Sequence, residues 1–112
     1  MNNVRQEARA KRRLAAAKSE LEPIVDACAA HYGLFPVALL SRRRSAGLVR
    51  PRHIAMYLAR EMTMCSFPEI AAALGRSDHT TAMHGAEKIA REIKTNPRIA
   101  RDVAAIERAL WE

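Results

Sequence analysis

Residues 66–93 read SFPEIAAALGRSDHTTAMHGAEKIAREI, and the reading of this stretch decides the fold. Ser66 and Glu69 make the S-x-x-E pattern of a capping box, a mark of a helix start. Cys65 and Ile70 take the two positions of a hydrophobic staple, one before the cap and one a turn inside. Pro68 falls in the first turn, where its missing N–H costs nothing. Gly75 ends this short helix, because glycine enters the left-handed C-terminal conformation without steric penalty. Ser77 is then expected to cap a second helix that begins near Asp78. Helix, short glycine-containing turn, helix is the outline of a helix-turn-helix.

The second helix carries the functional signal. Ala82, Ala86, Ile89 and Ile93 share one helical face, which is assigned to the core. Asp78, His79, Thr80 and Thr81 crowd its N-terminal end, too polar a cluster to be buried together. In a helix-turn-helix that end points at base edges, and its free N–H groups and positive dipole end favour phosphates. Asp accepts from a cytosine amino group, Thr bonds a base or meets a thymine methyl, and His does either. The local sequence also allows a plainer reading. In it, Asp78 and Thr80 only cap the helix and His79 is solvated.

The whole chain fits this setting. Its 112 residues suffice for one domain with a modest core. Hydrophobic residues make up 49% and aromatics only 4%. With few β-branched runs, that balance predicts an all-α protein, a small helical bundle. The net charge of +7 and pI near 10.3 call for a nucleic acid or an anionic surface as partner. No apolar run is long enough to cross a membrane, and no signal-peptide core follows the charged N-terminus. A cytoplasmic, nucleoid-associated protein is expected.

Cys28 and Cys65 sit among apolar residues on expected helices, so buried, reduced thiols are expected. Cys28 and His31 form a C-x-x-H, but His53, His79 and His84 lie on other faces, and no metal is expected. The glycines are Gly33, Gly47, Gly75 and Gly85, so no G-x-x-x-x-G-K-[ST] phosphate loop can be written, and neither nucleotide nor other cofactor is expected. An enzyme is not expected: Asp78 and His79 diverge by about 100° as helix neighbours, and no nucleophile accompanies them.

Residues 2–19 are rich in alanine and arginine. They form an expected basic helical extension (1–20) ahead of the main domain (21–112). Arg5, Arg9, Arg12 and Arg13 would add non-specific affinity or recruit a partner. Pro23 is expected to restart the helix, with Ile24, Ala27, Cys28 and Tyr32 or His31 facing the core and Gly33 ending it. A short turn from Pro36 should plug the bundle with Val37, Leu39 and Leu40. Residues 41–52, SRRRSAGLVRPR, carry a charge run that Gly47 and Pro51 mark as a loop. Such a loop lays an arginine into a minor groove or grips phosphates. Pro51 should open a long helix whose buried stripe is Ile54, Ala55, Leu58, Ala59 and Met62. Met56 and Tyr57 read as core rather than as a cofactor pocket. Arg52, His53 and Arg60 fall on its polar side, within reach of phosphates. Asn96-Pro97 breaks the chain before a last helix that buries Ile99, Val103, Ile106 and Leu110, with Trp111 closing the bundle.

These residues carry a resemblance. From about residue 24 to 111 the chain resembles the C-terminal DNA-binding domain of DnaA, the bacterial replication initiator. SRRRSAGLVRPRHIAMYLARE is similar to the basic loop and long helix of that family, SFPEIAAALG to its first helix-turn-helix helix, and DHTTAMHGAEKI to its signature motif. The resemblance implies that Asp78, His79 and Thr80 read bases in the major groove of double-stranded DNA and that Thr81 contacts a phosphate. It implies that Arg43 or Arg44 enters the adjacent minor groove. Arg42, Arg50, Arg52, His53, Arg60, Arg76 and Ser77 are the expected backbone contacts.

The chain departs from the family pattern in places. Ser77 stands where a basic residue usually precedes the signature Asp, with Arg76 one position earlier. His53 replaces a common glutamine, and Gly47 and Leu48 alter the loop. The initiator's ATPase module is not found in this sequence. A stand-alone DNA reader is therefore expected. Its expected use is as a small transcription regulator of the kind found in phage-derived elements and in activators of gene transfer agents. RNA polymerase or another DNA-bound regulator is then a possible partner. The alternatives are a replication modulator competing for initiator boxes and a protein–protein adaptor.

Overall fold

The computed structural model describes residues 3–112, so the first two residues of the expected N-terminal extension (1–20) lie outside the described residues. Six helices follow in order: α1 (Asn3–His31), α2 (Pro36–Leu40), α3 (Ala46–Met62), α4 (Phe67–Ala73), α5 (His79–Thr95) and α6 (Pro97–Trp111). Among the described residues there is no strand, and the protein is all-α. α3 and α5 form the central pair, with α4 across α5, α1 against α3, α4 and α6, and α6 against α5. Leu21, Ile24, Cys28, Leu39, Ile54, Leu58, Ile70, Leu74, Ile89, Ile99 and Ile106 fill the core between them. The bundle measures 53 × 28 × 24 Å because the first turns of α1 project beyond it.

Two prolines expected to start helices lie inside them. α1 runs through Pro23. The lost amide bond is outweighed by a seam at three- and four-residue spacing, Leu14, Ala17, Leu21, Ile24 and Cys28, that faces the bundle on both sides of the proline. The basic extension is thus continuous with the first core helix, and Ala17 is already buried. α3 likewise begins at Ala46, with Pro51 buried inside it. Leu48 anchors its first turn in the core and its amide bonds the Ser45 carbonyl at 3.0 Å. The basic loop therefore shrinks to residues 41–45, and Arg50 rides on the helix.

The expected core is trimmed at two places. α2 has five residues, and of the three expected plugs Leu39 alone is buried; Val37 and Leu40 are 72% and 40% exposed. Trp111 does not close the bundle; it is exposed, while Leu110 packs against the core. Adjacent helical positions diverge by about 100°, so one of the two must face out. Of His31 and Tyr32, Tyr32 turns inward. Its hydroxyl donates to Asp102 Oδ2 at 2.8 Å, and His31 Nε2 lies 3.1 Å from Oδ1. This cluster ties the end of α1 to α6. Burial pushes the Asp102 carboxyl up, but the bonds from His31 and Tyr32 outweigh it and hold it below the usual range.

Both cysteines are free and buried, and burial raises the Cys28 thiol to about 12.

Candidate nucleic-acid interface

The helix-turn-helix is built as its sequence dictates. The Ser66 amide donates to Glu69 Oε1 at 2.8 Å, and the Glu69 amide to Ser66 Oγ at 3.3 Å. The bond from the Ser66 amide, then that from its hydroxyl, holds the Glu69 carboxyl below its ordinary value. Cys65 and Ile70 are both buried, as the staple requires. α4 ends in a Schellman motif. The Arg76 amide donates to the Ala71 carbonyl at 2.7 Å and the Gly75 amide to Ala72 at 3.1 Å. Gly75 sits at φ +73, and a Cβ there would stand 2.9 Å from the Leu40 carbonyl oxygen. The turn between the two helices thus abuts the residue just before the basic loop.

The cap of α5 is Asp78, not Ser77. Asp78 has extended backbone angles, and its Oδ1 accepts from the Thr80 amide at 2.9 Å. The Thr80 side chain, then this amide bond, holds its carboxyl below the ordinary value. Ser77 is left exposed in the turn. The capping reading of Asp78 is therefore realised, while Oδ1 alone makes the cap bond. His79 and Thr81 are exposed and Thr80 half-buried. Ala82, Gly85, Ala86 and Ile89 face inward, which leaves the polar first turn on the outside.

A cleft of about 460 Å³ joins loop and helix. The loop contributes Arg42, Arg43 and Arg44. Arg76, Ser77, Asp78 and Thr81 come from the turn and α5, and Val49, Arg52, His53 and Met56 from α3. Most of the residues singled out in the sequence meet here. Val49 and Met56 were not among the expected site residues. Positions 49, 52, 53 and 56 share one helical face, a signal hidden by reading 46–50 as loop. Burial, then the charges of Arg42 and Arg44, pull the Arg76 guanidinium below its ordinary pKa. Asp78 is the single acidic residue in the lining.

Three expected backbone contacts are placed differently. Arg52 is only 6% exposed. Its Nε donates to the Leu39 carbonyl at 2.9 Å, and Nη2 to Ala38 at 3.1 Å, to the Ser41 carbonyl at 2.7 Å and to Ser41 Oγ at 3.1 Å. Nη1 donates to the Arg43 carbonyl. Its donors are thus directed at the protein's own backbone, at the last carbonyls of α2 and those of the loop that follows. Arg50 lies outside this cleft, beside Tyr32 and Asp102, whose titration its charge affects. Arg60 is exposed, with its guanidinium 4.6 Å over the Phe67 ring and Nη1 3.3 Å from the Cys65 carbonyl. His53 is half-buried, and burial, then Lys88, lowers its pKa. Among the described residues, no three His, Cys, Asp or Glu side chains converge to hold a metal ion. No helix among them is long and apolar enough to cross a membrane.

Comparison with known proteins agrees with this geometry. Residues 21–89 match the family described as the bacterial dnaA protein helix-turn-helix. A chromosomal replication initiator protein DnaA of Roseiflexus castenholzii is 48% identical over 89 residues, covering 80% of this chain and 18% of the relative. The same protein of Chloroflexus aurantiacus is 46% identical over 85 residues, covering 76% of this chain and 18% of the relative. The crystal structure of a DNA replication initiation factor superposes with a TM-score of 0.74 at 31% identity, over 92% of this chain and 30% of that one. The chain thus spans about a fifth of the length of the curated relatives it matches. The chain belongs to the bacterial dnaA protein helix-turn-helix family.

Proposed function

We propose that this protein binds double-stranded DNA sequence-specifically, reading the major groove with the N-terminal turn of α5 and the minor groove with the 41–45 loop. The observation that carries this is the shared cleft: the three loop arginines and the start of α5 line one surface. A duplex backbone separates its two grooves, so a protein reading both must present two elements flanking one strand. The cleft fits that strand. Arg42, Arg43, Arg44 and Arg76 repel one another there, and a phosphate chain relieves the repulsion. In this reading His79 and Thr80 contact base edges, and Asp78 does so through the oxygen its cap leaves free. Thr81 and Ser77 bond phosphates, and Arg43 or Arg44 enters the minor groove.

We propose further that the protein acts as a small transcription regulator. The basic loop and the polar first turn of α5 on one surface supply the DNA reader that such a regulator requires. The identity to replication initiators favours a second reading, occupancy of the initiator's own boxes as a replication modulator. Mapping where the protein sits on the chromosome, beside a His79→Ala control, separates these. Peaks at a few promoters, lost in the control, establish regulation. Peaks at the origin establish replication control. Absence of control-sensitive peaks overturns both in favour of a protein–protein adaptor.

A further inference from the structure

Among the described residues, Arg52 is the one buried charged residue, and it has no carboxylate partner in the described ion pairs. A buried guanidinium is retained only when its donors are met. Here they are met by carbonyls of four consecutive or near-consecutive residues, Ala38, Leu39, Ser41 and Arg43. Ser41 adds its hydroxyl, which donates to Ala38 at 2.7 Å and accepts from Arg52 Nη2 and, at 3.4 Å, from the Arg43 amide. The fork spans the end of α2 and the first half of the basic loop. Arg42, Arg43 and Arg44, by contrast, are exposed.

We infer that Arg52 is a positioning residue: it clamps residues 38–43 from beneath so that the loop arginines meet DNA already ordered. This rests on the minor-groove role proposed for the loop. A free five-residue arginine loop would lose backbone and side-chain freedom on entering a groove, and each ordered residue weakens binding. Ordering the loop in advance removes part of that loss. The chemistry requires arginine. A planar fork of five donors reaches several carbonyls at once, while a lysine ammonium is a point charge on a flexible stem.

The test uses Arg52→Lys, a loop triple variant (Arg42→Ala, Arg43→Ala, Arg44→Ala) and His79→Ala, singly and combined, on a duplex selected by the native chain. Helicity and melting are recorded alongside. The expected result is that Arg52→Lys weakens binding about 10- to 100-fold. The loss should vanish when the loop arginines are already gone and persist in full beside His79→Ala. Binding of Arg52→Lys at native strength overturns the clamp, because a lysine still serves a phosphate. So does a loss that persists undiminished in the loop variant. If Arg52→Lys does not fold, Ser41→Ala decides, since it removes the hydroxyl anchor on the loop and leaves Arg52 in place. The same loop-dependent loss supports the clamp, and native binding overturns it. If instead the native chain shows no sequence preference, or the loop variant binds as the native chain does, the reading of the interface has failed and not the clamp alone.

Discussion

Two glycines offer a matched pair. Gly33 and Gly75 end α1 and α4 in the same Schellman geometry. The Leu34 amide donates to Ala29 at 2.8 Å and the Gly33 amide to Ala30 at 3.1 Å, as Arg76 and Gly75 do with Ala71 and Ala72. Their φ values are +67 and +73. A Cβ on Gly33 would meet nothing within 4 Å, whereas one on Gly75 would meet the Leu40 oxygen at 2.9 Å. Placing alanine in the left-handed region costs about 1–2 kcal/mol at either site. The smaller unfolded-state entropy of alanine returns about 0.4–1 kcal/mol at both. Only Gly75→Ala adds a clash, against a backbone atom at the end of α2 that cannot rotate away. Overpacking of this kind adds about 1–3 kcal/mol. Gly33→Ala should therefore lose about 1 kcal/mol and Gly75→Ala about 2–4 kcal/mol, a large share of the stability of a small domain. Urea unfolding followed by far-UV circular dichroism measures both. Equal losses would show that the turn and the residue before the basic loop are not in close contact, and the structural coupling drawn between them would fall.

Gly85 is buried where α5 crosses α3, and an alanine Cβ there would meet Met56 Sδ at 2.5 Å and His53 Cδ2 at 2.8 Å. The helix-propensity gain of about 1 kcal/mol is smaller than or similar to the overpacking penalty. Gly85→Ala should be net destabilising, and a raised melting temperature would contradict this packing. The lowered Asp102 carboxyl contributes stability that is present above its unfolded pKa, about 3.9, and is lost as pH falls through its lower folded pKa. Asp102→Asn should flatten the stability–pH curve below about pH 4; an unaltered acid limb would remove the α1–α6 cluster from the account. Arg60→Ala should weaken DNA binding evenly across sequences and reduce the salt slope by about 0.9 if Arg60 neutralises one phosphate. An unchanged slope with lowered stability would assign Arg60 solely to its stacking on Phe67.

The helix-turn-helix was legible because its signals are local. A capping box, a staple and a C-terminal glycine each act within a few residues, and all three appear in α4. Helix starts at Pro23 and Pro51 were misread because proline's preference for a first turn is weak against buried anchors on its N-terminal side, Ala17 and Leu21 in one case and Leu48 in the other. The N-cap moved from Ser77 to Asp78 because both residue types cap helices and only the backbone angles choose. Arg52 was beyond sequence reading. Its neighbour Arg50 points elsewhere, and nothing in an arginine's own context tells a phosphate contact from one made to carbonyls 13 residues away. The convergence of loop and helix on one cleft is likewise tertiary, set by the packing of α3 against α5.

The central claim is that the first turn of α5 reads DNA sequence, and selection of bound duplexes from a random pool tests it most directly. The native chain should enrich a short motif. His79→Ala should lose preference at one base position, worth about 1–3 kcal/mol there, and keep the rest. No enriched motif, or the same motif with uniformly weaker binding in the variant, would contradict the account.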